Sequence, residues 1–400
     1  MKQNHKKYFI LFLLSIMIVP FQNCGVFKAG VSLKGATDSA SLADAVPATP
    51  GTGTVTPPGT GTTPVVPTLP PDPSDAGRRI LKVCASGCAY STPSSAISAS
   101  ADNDIIEIQA GTYNNCFGLT KNNIKIRGVN GRAHFSGTMC QGKGAIVFTG
   151  KNLVVENLEF SNFYVADQNG AGIRHQGTGL IVRNSYFHDG ENGILSESIA
   201  APGSAEDTIL IENSKFDRVG GGGGYAHAVY FGHAALVTVK NSLFLNAHQG
   251  HEFKSRAHAN TIDCSVFASL SGDDSYSLNF PDAGNVLITN STIEQGPSST
   301  NSGIVDYGSE MTVTYPVQNF VANNIIVIND LGRGAFFNVR NTTKFEIKSS
   351  VFVGAGSAYG VQSAAETSVS KQADRIAANL ASYPALPTAS ACTGTVGLLF

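Results

Sequence analysis

One phrase recurs along most of the chain: apolar-x-apolar-x-Asn-Ser-x-Phe. It reads LVVENLEF from Leu153, LIVRNSYF from Leu180, ILIENSKF from Ile209 and VTVKNSLF from Val237. Looser copies follow as NTIDCSVF from Asn260, VLITNSTI from Val286, FVANNIIV from Phe320 and FEIKSSVF from Phe345, and IKIRGVNG around Gly128 reads as the start of the series. The aligned central positions are Asn157, Asn184, Asn213, Asn241, Cys264, Asn290, Asn324 and Ser349, at intervals of 23 to 34 residues. A self-similar unit of this length, alternating as a strand does, is the mark of a stacked solenoid.

Short strands split by Gly and Asn turns, with no helical periodicity between them, exclude leucine-rich and helical repeat arrays. The expected fold is therefore all-β: a right-handed parallel β-helix of about nine to ten coils, stacked at ~4.8 Å. The recurring Asn is expected at a corner, its side-chain amide bonding the equivalent amides above and below. STPSSAISASADNDIIEIQAGTY, from Ser91, reads as a short N-terminal capping helix followed by the first strand. SVSKQADRIAANLASY places Ala373, Ile376, Ala377 and Leu380 at helical spacing and is expected to cap or pack on the last coils.

The ends are organised differently. MKQNHKK followed by an apolar run from Tyr8 to Pro20 reads as an export signal. Residues 1–24 are assigned to it, 25–76 to a Thr/Pro/Gly-rich linker, 77–365 to the solenoid and 366–400 to a cap or tail. The linker has almost no charge and no periodicity, so it is expected as an extended tether. An exported chain permits disulfides, and Cys84–Cys88 and Cys116–Cys140 are the local pairings. Cys264 and Cys392 stay open: they pair with each other, or Cys264 is a small filler at its corner. A net charge of −2, with only 14% charged residues, gives no basic field for nucleic acid. A monomer is expected.

Aligning the strand that follows each Asn corner gives an inward column Ile173, Ile194, Val229, Phe253, Leu278 and Ile304. The outward column is then Arg174, Leu195, Tyr230, Lys254, Asn279 and Val305. In GHEFKSRAHAN, Glu252, Lys254 and Arg256 alternate around Phe253 and are expected to face outward together. Five of the nine His fall between His227 and His258, and Asp273, Asp274, Asp282, Glu294, Asp306 and Glu310 follow. The glycine run before Tyr225 lacks the Lys and Ser/Thr of a phosphate loop, which argues against a nucleotide site.

The start at Ser91 and the coil pattern resemble pectate-lyase-like β-helix proteins. HAVYFG, GHEFKSRA, NFPDAGN, IEQGPSSTN and DYGSE resemble a group of bacterial right-handed β-helix proteins known by fold alone. FQNCG at Cys24 resembles the lipobox of bacterial lipoproteins, which implies lipidation of Cys24 and an outer-membrane location on the periplasmic or cell-surface face. Lys254-Ser255 is similar to the Lys-Ser of alginate lyases and chondroitinase B. In those the Lys is the base, an Arg lies nearby and Ca²⁺ sits on acidic ligands; here Asn279 stands where the next coil carries Arg, and Arg256 is the substitute. The resemblance implies β-elimination on a uronic-acid polysaccharide. Lys254 would take the C5 proton, Arg256 or Ca²⁺ held by Glu252 and Asp282 would neutralise the carboxylate, and Tyr230 or His227 would protonate the leaving oxygen. Arg174, Asn279, His233 and His251 are the candidate substrate-binding residues. Two alternatives stand beside this: a polygalacturonase-like hydrolase, which needs converging carboxylates, and a non-catalytic glycan-binding or adhesive solenoid.

Overall fold

The computed structural model describes residues 68–197, 207–354, 357–359 and 364–369, together with Cys392. The export segment, Cys24, most of the linker and most of the expected C-terminal helix lie outside them. The described chain is a parallel β-solenoid of about ten turns whose one described helix is Pro93–Ser98. That helix is capped by Thr92, whose side chain accepts from the Ser95 N–H, and it buries Ala96 and Ile97 against the first strands. Ser368 and Val369, at the head of the expected C-terminal helix, belong instead to the strand Ala364–Val369, which pairs with Thr342–Lys348.

One coil shows the plan. Thr208–Glu212 runs to a corner at Asn213 and Ser214, Lys215–Val219 follows, and Val229–Phe231 closes the turn. The first two strands join a 20-stranded sheet that bends at each corner, and the third joins a 10-stranded sheet with one strand per coil. Successive coils pair in parallel: Ile209 with Val237, Phe216 with Phe244, Tyr230 with Lys254.

The corner explains the repeat. Every central position is left-handed, with φ of 55° at Asn157, 50° at Asn184 and Asn213, 47° at Asn241, 49° at Cys264, 51° at Asn290, 55° at Asn324 and 50° at Ser349. Asn tolerates this region better than other residues with a side chain. The amide ladder expected from the sequence is only local: Asn324 Nδ2 donates to Asn290 Oδ1 at 2.8 Å, but Asn157 Nδ2 donates to the carbonyls of Gly128 and Gly131. The continuous ladder lies one residue on. Leu158 N–H donates to Ser185 Oγ, Ser185 N–H to Ser214, Ser214 N–H to Ser242, Ser242 N–H to Ser265 and Ser265 N–H to Ser291, all at 3.1–3.3 Å. Each of these hydroxyls also donates to the carbonyl two residues back, as Ser214 does to Glu212. The ladder satisfies a corner N–H that would otherwise be buried unpaired.

The Phe that ends each phrase faces the core. Phe135, Phe160, Phe187, Phe216, Phe244 and Phe267 form a column of stacked rings, with centroids 5.6, 4.7, 4.7, 4.7 and 4.6 Å apart. Opposite them the third strand is thinned by glycine: a Cβ on Gly193 would lie 2.6 Å from the Phe216 ring and from the Ala228 carbonyl.

Cys84–Cys88 and Cys116–Cys140 are disulfides, and Cys264 pairs with Cys392 across 128 residues. Three bridges are what an exported chain carries. The folded body also begins before residue 77. Asp72 pairs with Lys125 and Arg183, and Asp75 with Lys125 and Arg127, at 2.5–3.5 Å.

Candidate functional site

The outward side of the third-strand sheet carries one residue per coil. In register these are Val147, Arg174, Leu195, Tyr230, Lys254, Asn279, Asp306 and Asn338. The sequence alignment slips by one residue at its last step: Leu278 pairs with Val305, so the neighbour of Asn279 is Asp306. Arg256 lies two residues beyond Lys254 and reaches the same group.

Five side chains converge there. Arg256 Nε donates to Tyr230 Oη at 2.8 Å, and Lys254 Nζ lies 5.2 Å from the centre of the Tyr230 ring. Arg256 Nη1 is 3.1 Å from Asp282 Oδ1, and Nη2 pairs with Glu310. The other Glu310 oxygen lies 3.7 Å from Lys254 Nζ, so one carboxylate spans both cations. Asp282 is fully buried; it accepts from the Thr312 N–H and hydroxyl at 2.6 Å each and lies 3.0 Å from His233 Nε2. Burial alone would raise its pKa, but His233, Thr312 and Arg256 outweigh burial and hold it well below the usual carboxylate range. Burial likewise works against the Arg256 charge, and Tyr230 and Glu310 overcome it.

The segment from Ser309 to Tyr315 covers the group. Glu310 and Met311 N–H both donate to the Pro281 carbonyl, Tyr315 Oη donates to the Arg256 carbonyl at 2.6 Å, and the Tyr315 ring stacks on His258. Lys254 and Arg256 therefore keep only 13% and 12% of their side-chain surface. Asn279 is buried and donates to Asp306 Oδ2, which also accepts from Ser309. Thr312 and Tyr315 carried no signal in the sequence; Glu310 and Asp306 were visible only as two acids among several.

Other expected members are placed elsewhere. Glu252 does not face outward: it is fully buried, accepts from the Ala247 N–H, and lies among Asp274, Glu294 and Asp217. Burial pushes Asp274 and Glu294 up to about 7 and Glu252 well above its ordinary value. Glu252 and Asp282 share no partner, and the Asp282 oxygens are already filled by Thr312, His233 and Arg256, so the pair does not fit a calcium ion. His227 and His251 form a structural ladder at the corner before the third strand. Their rings stack 4.6 Å apart, His251 N–H donates to His227 Nδ1, and Tyr276 N–H donates to His251 Nδ1. Burial holds both imidazoles well below their usual pKa, so neither carries a second proton to give. Arg174 is mostly buried, paired with Glu197 and separated from Tyr230 by the Leu195 coil.

No family model matches the chain, and no curated protein matches it. Among solved structures, pectate lyase Pel9A superposes with a TM-score of 0.51 at 16% identity, covering 76% of this chain and 82% of that one. The fold is the right-handed parallel β-helix. The A-module of the Azotobacter vinelandii mannuronan C-5 epimerase AlgE4 is also similar, with a TM-score of 0.40 at 9% identity, over 70% of this chain and 96% of that one. So is a pectin methylesterase from Aspergillus niger, at 0.40 and 12%, over 74% and 92%. At these identities the likeness speaks to the β-helix alone.

Proposed function

We propose that this β-helix is a carbohydrate-active protein whose third-strand face holds the carboxylate of a uronic-acid polysaccharide between Lys254 and Arg256. The supporting observation is Glu310: the two cations already clasp a carboxylate, and a uronate presents the same group. Glu310 keeps 39% of its side-chain surface, so a polymer can displace it from outside. In the lyase form of the reading, Arg256 withdraws charge from the bound carboxylate and acidifies the C5 proton. In this form the carboxylate rests on Arg256, and Lys254, its charge disfavoured beside that guanidinium, takes the C5 proton. Tyr230, whose oxygen accepts from Arg256 Nε, retains its own O–H to donate to the departing glycosidic oxygen. No step needs a metal.

One observation favours the non-catalytic alternative. Arg256 is bound on three sides by Tyr230, Asp282 and Glu310, an arrangement that favours holding a ligand over turning it over. The reading also includes export, with Cys24 as the lipid anchor; Cys24→Ser should shift the protein from the membrane to the soluble fraction, and an unchanged distribution would refute the anchor.

Absorbance near 232 nm on alginate, pectate and chondroitin separates the forms. A signal lost in Lys254→Ala establishes elimination. Binding without absorbance change, weakened by Arg256→Ala and strengthened by Glu310→Ala, establishes a binding site. Neither absorbance change nor binding on any of these polymers refutes the proposal.

A further inference from the structure

A second cluster lies away from this face, on the outward side of the strands that follow the corners. Ala133, His134 and Phe135 pair with Leu158, Glu159 and Phe160, and these pair with the strand Tyr186–Gly190. Phe135, Phe160 and Phe187 point to the core, so His134, Glu159 and the Tyr186–His188 pair point out.

Three successive coils thereby bring two imidazoles and one carboxylate together. One ligand atom from each of His134, Glu159 and His188 lies within 4.8 Å of the others. His188 Nε2 is 3.1 Å from Glu159 Oε1, and His134 Nε2 is 3.8 Å from the same oxygen. Donors about 2.0–2.1 Å from a tetrahedral ion stand roughly 3.3 Å apart, so the observed spacings bracket what such an ion imposes.

The surroundings prepare the donors. His188 Nδ1 lies 2.6 Å from Asp189 Oδ2, which directs Nε2 toward the cluster. Arg218 holds Asp189 through contacts of 2.7 and 2.9 Å, which fixes the carboxylate behind His188. A carboxylate behind a ligating imidazole fixes the tautomer and raises its basicity. Tyr186 stacks on the His188 ring at 4.3 Å and limits its rotation. All three ligands are part-exposed, which leaves a coordination position open to solvent.

We infer that His134, Glu159 and His188 form a surface site for a divalent transition metal of the Zn²⁺ or Cu²⁺ class, bridging three successive coils. Two nitrogens and one oxygen suit these ions and not Ca²⁺, which takes oxygen ligands.

The test is calorimetric titration of the untagged full chain with Zn²⁺. One saturable site is expected, weakened at least tenfold in each of His134→Ala, His188→Ala and Glu159→Gln. His248→Ala, at an exposed His paired with Asp273, should leave it unchanged. Electron paramagnetic resonance of the Cu²⁺-loaded protein should show two coordinating nitrogens, falling to one in His188→Ala. Asp189→Asn, at a positioning residue, should weaken binding less than loss of a ligand does. No saturable binding, or a site that survives the His134→Ala/His188→Ala double variant in a chain of unchanged melting temperature, overturns the inference. That result would leave Glu159 as no more than a hydrogen-bond partner of the His188 ring.

Discussion

Asp282→Asn tests the charged group most directly. Asp282 is fully buried and carries the Arg256 Nη1 contact at 3.1 Å, both Thr312 contacts and the His233 contact. Asn is nearly isosteric: its oxygen can keep the Thr312 N–H and Arg256, and its amide can donate to the Thr312 hydroxyl and to His233. The change therefore removes charge with little loss of hydrogen bonding. Removing one partner of a buried pair costs about 3–5 kcal/mol. Glu310 still pairs with Arg256, which puts the expectation at about 3 kcal/mol, a factor of roughly a hundred in the unfolding equilibrium. The pH dependence carries a sign. Because the folded pKa of Asp282 is depressed, its contribution is complete above its unfolded value of about 4 and is lost as pH falls through the folded value. Urea unfolding should thus show the full gap between wild type and Asp282→Asn at pH 7, narrowing below about pH 4. A gap under about 1 kcal/mol at pH 7, or one that stays constant into acid, would refute the assignment of Asp282 as the anchor of Arg256.

Three further outcomes follow from the packing. Phe216→Ala should cost about 3–5 kcal/mol by urea unfolding, and Phe216→Leu clearly less, because Leu refills part of the cavity while both variants lose the two stacked neighbours at 4.7 Å; equal costs would mean that the lost ring contacts and not the cavity set the penalty. The raised pKa values of Asp274 and Glu294, about 7 each, mean that their protonated forms stabilise the fold fully below about pH 4, and that this is lost as pH rises through 7. The melting temperature should accordingly fall between pH 5 and pH 8, less steeply in Glu294→Gln, and an unchanged slope would show that Glu294 is already ionised. Cys264→Ser should destabilise by about 2–5 kcal/mol, and reductant should do the same to the wild type but have no effect at this bond in the variant.

The solenoid was legible because its cause repeats. Asn213, Ser214 and Phe216 each perform one local task per coil: a left-handed corner, a hydroxyl rung and a core ring. A task repeated at fixed spacing leaves a period in the sequence. The sequence misjudged which side chain forms the ladder, since both Asn and Ser recur and only geometry shows that Asn is needed for its backbone. The candidate site was less legible. Tyr230, Lys254 and Arg256 emerged from strand register, but Glu310, Thr312 and Tyr315 arrive on a covering segment whose path no periodicity encodes. Glu252 was misplaced because it precedes its strand, so alternation does not govern it.

The serine rungs have a direction. At the corners from Leu158 to Ser265, each backbone N–H is satisfied by a hydroxyl belonging to the coil made after it. At each of these described corners a coil therefore presents an N–H whose oxygen the following coil supplies. Each coil is thus completed by its successor, which couples the stability of neighbouring coils along the solenoid. The Cys264–Cys392 bond adds a covalent tie at one of these corners, joining it to a residue 128 positions further along the chain.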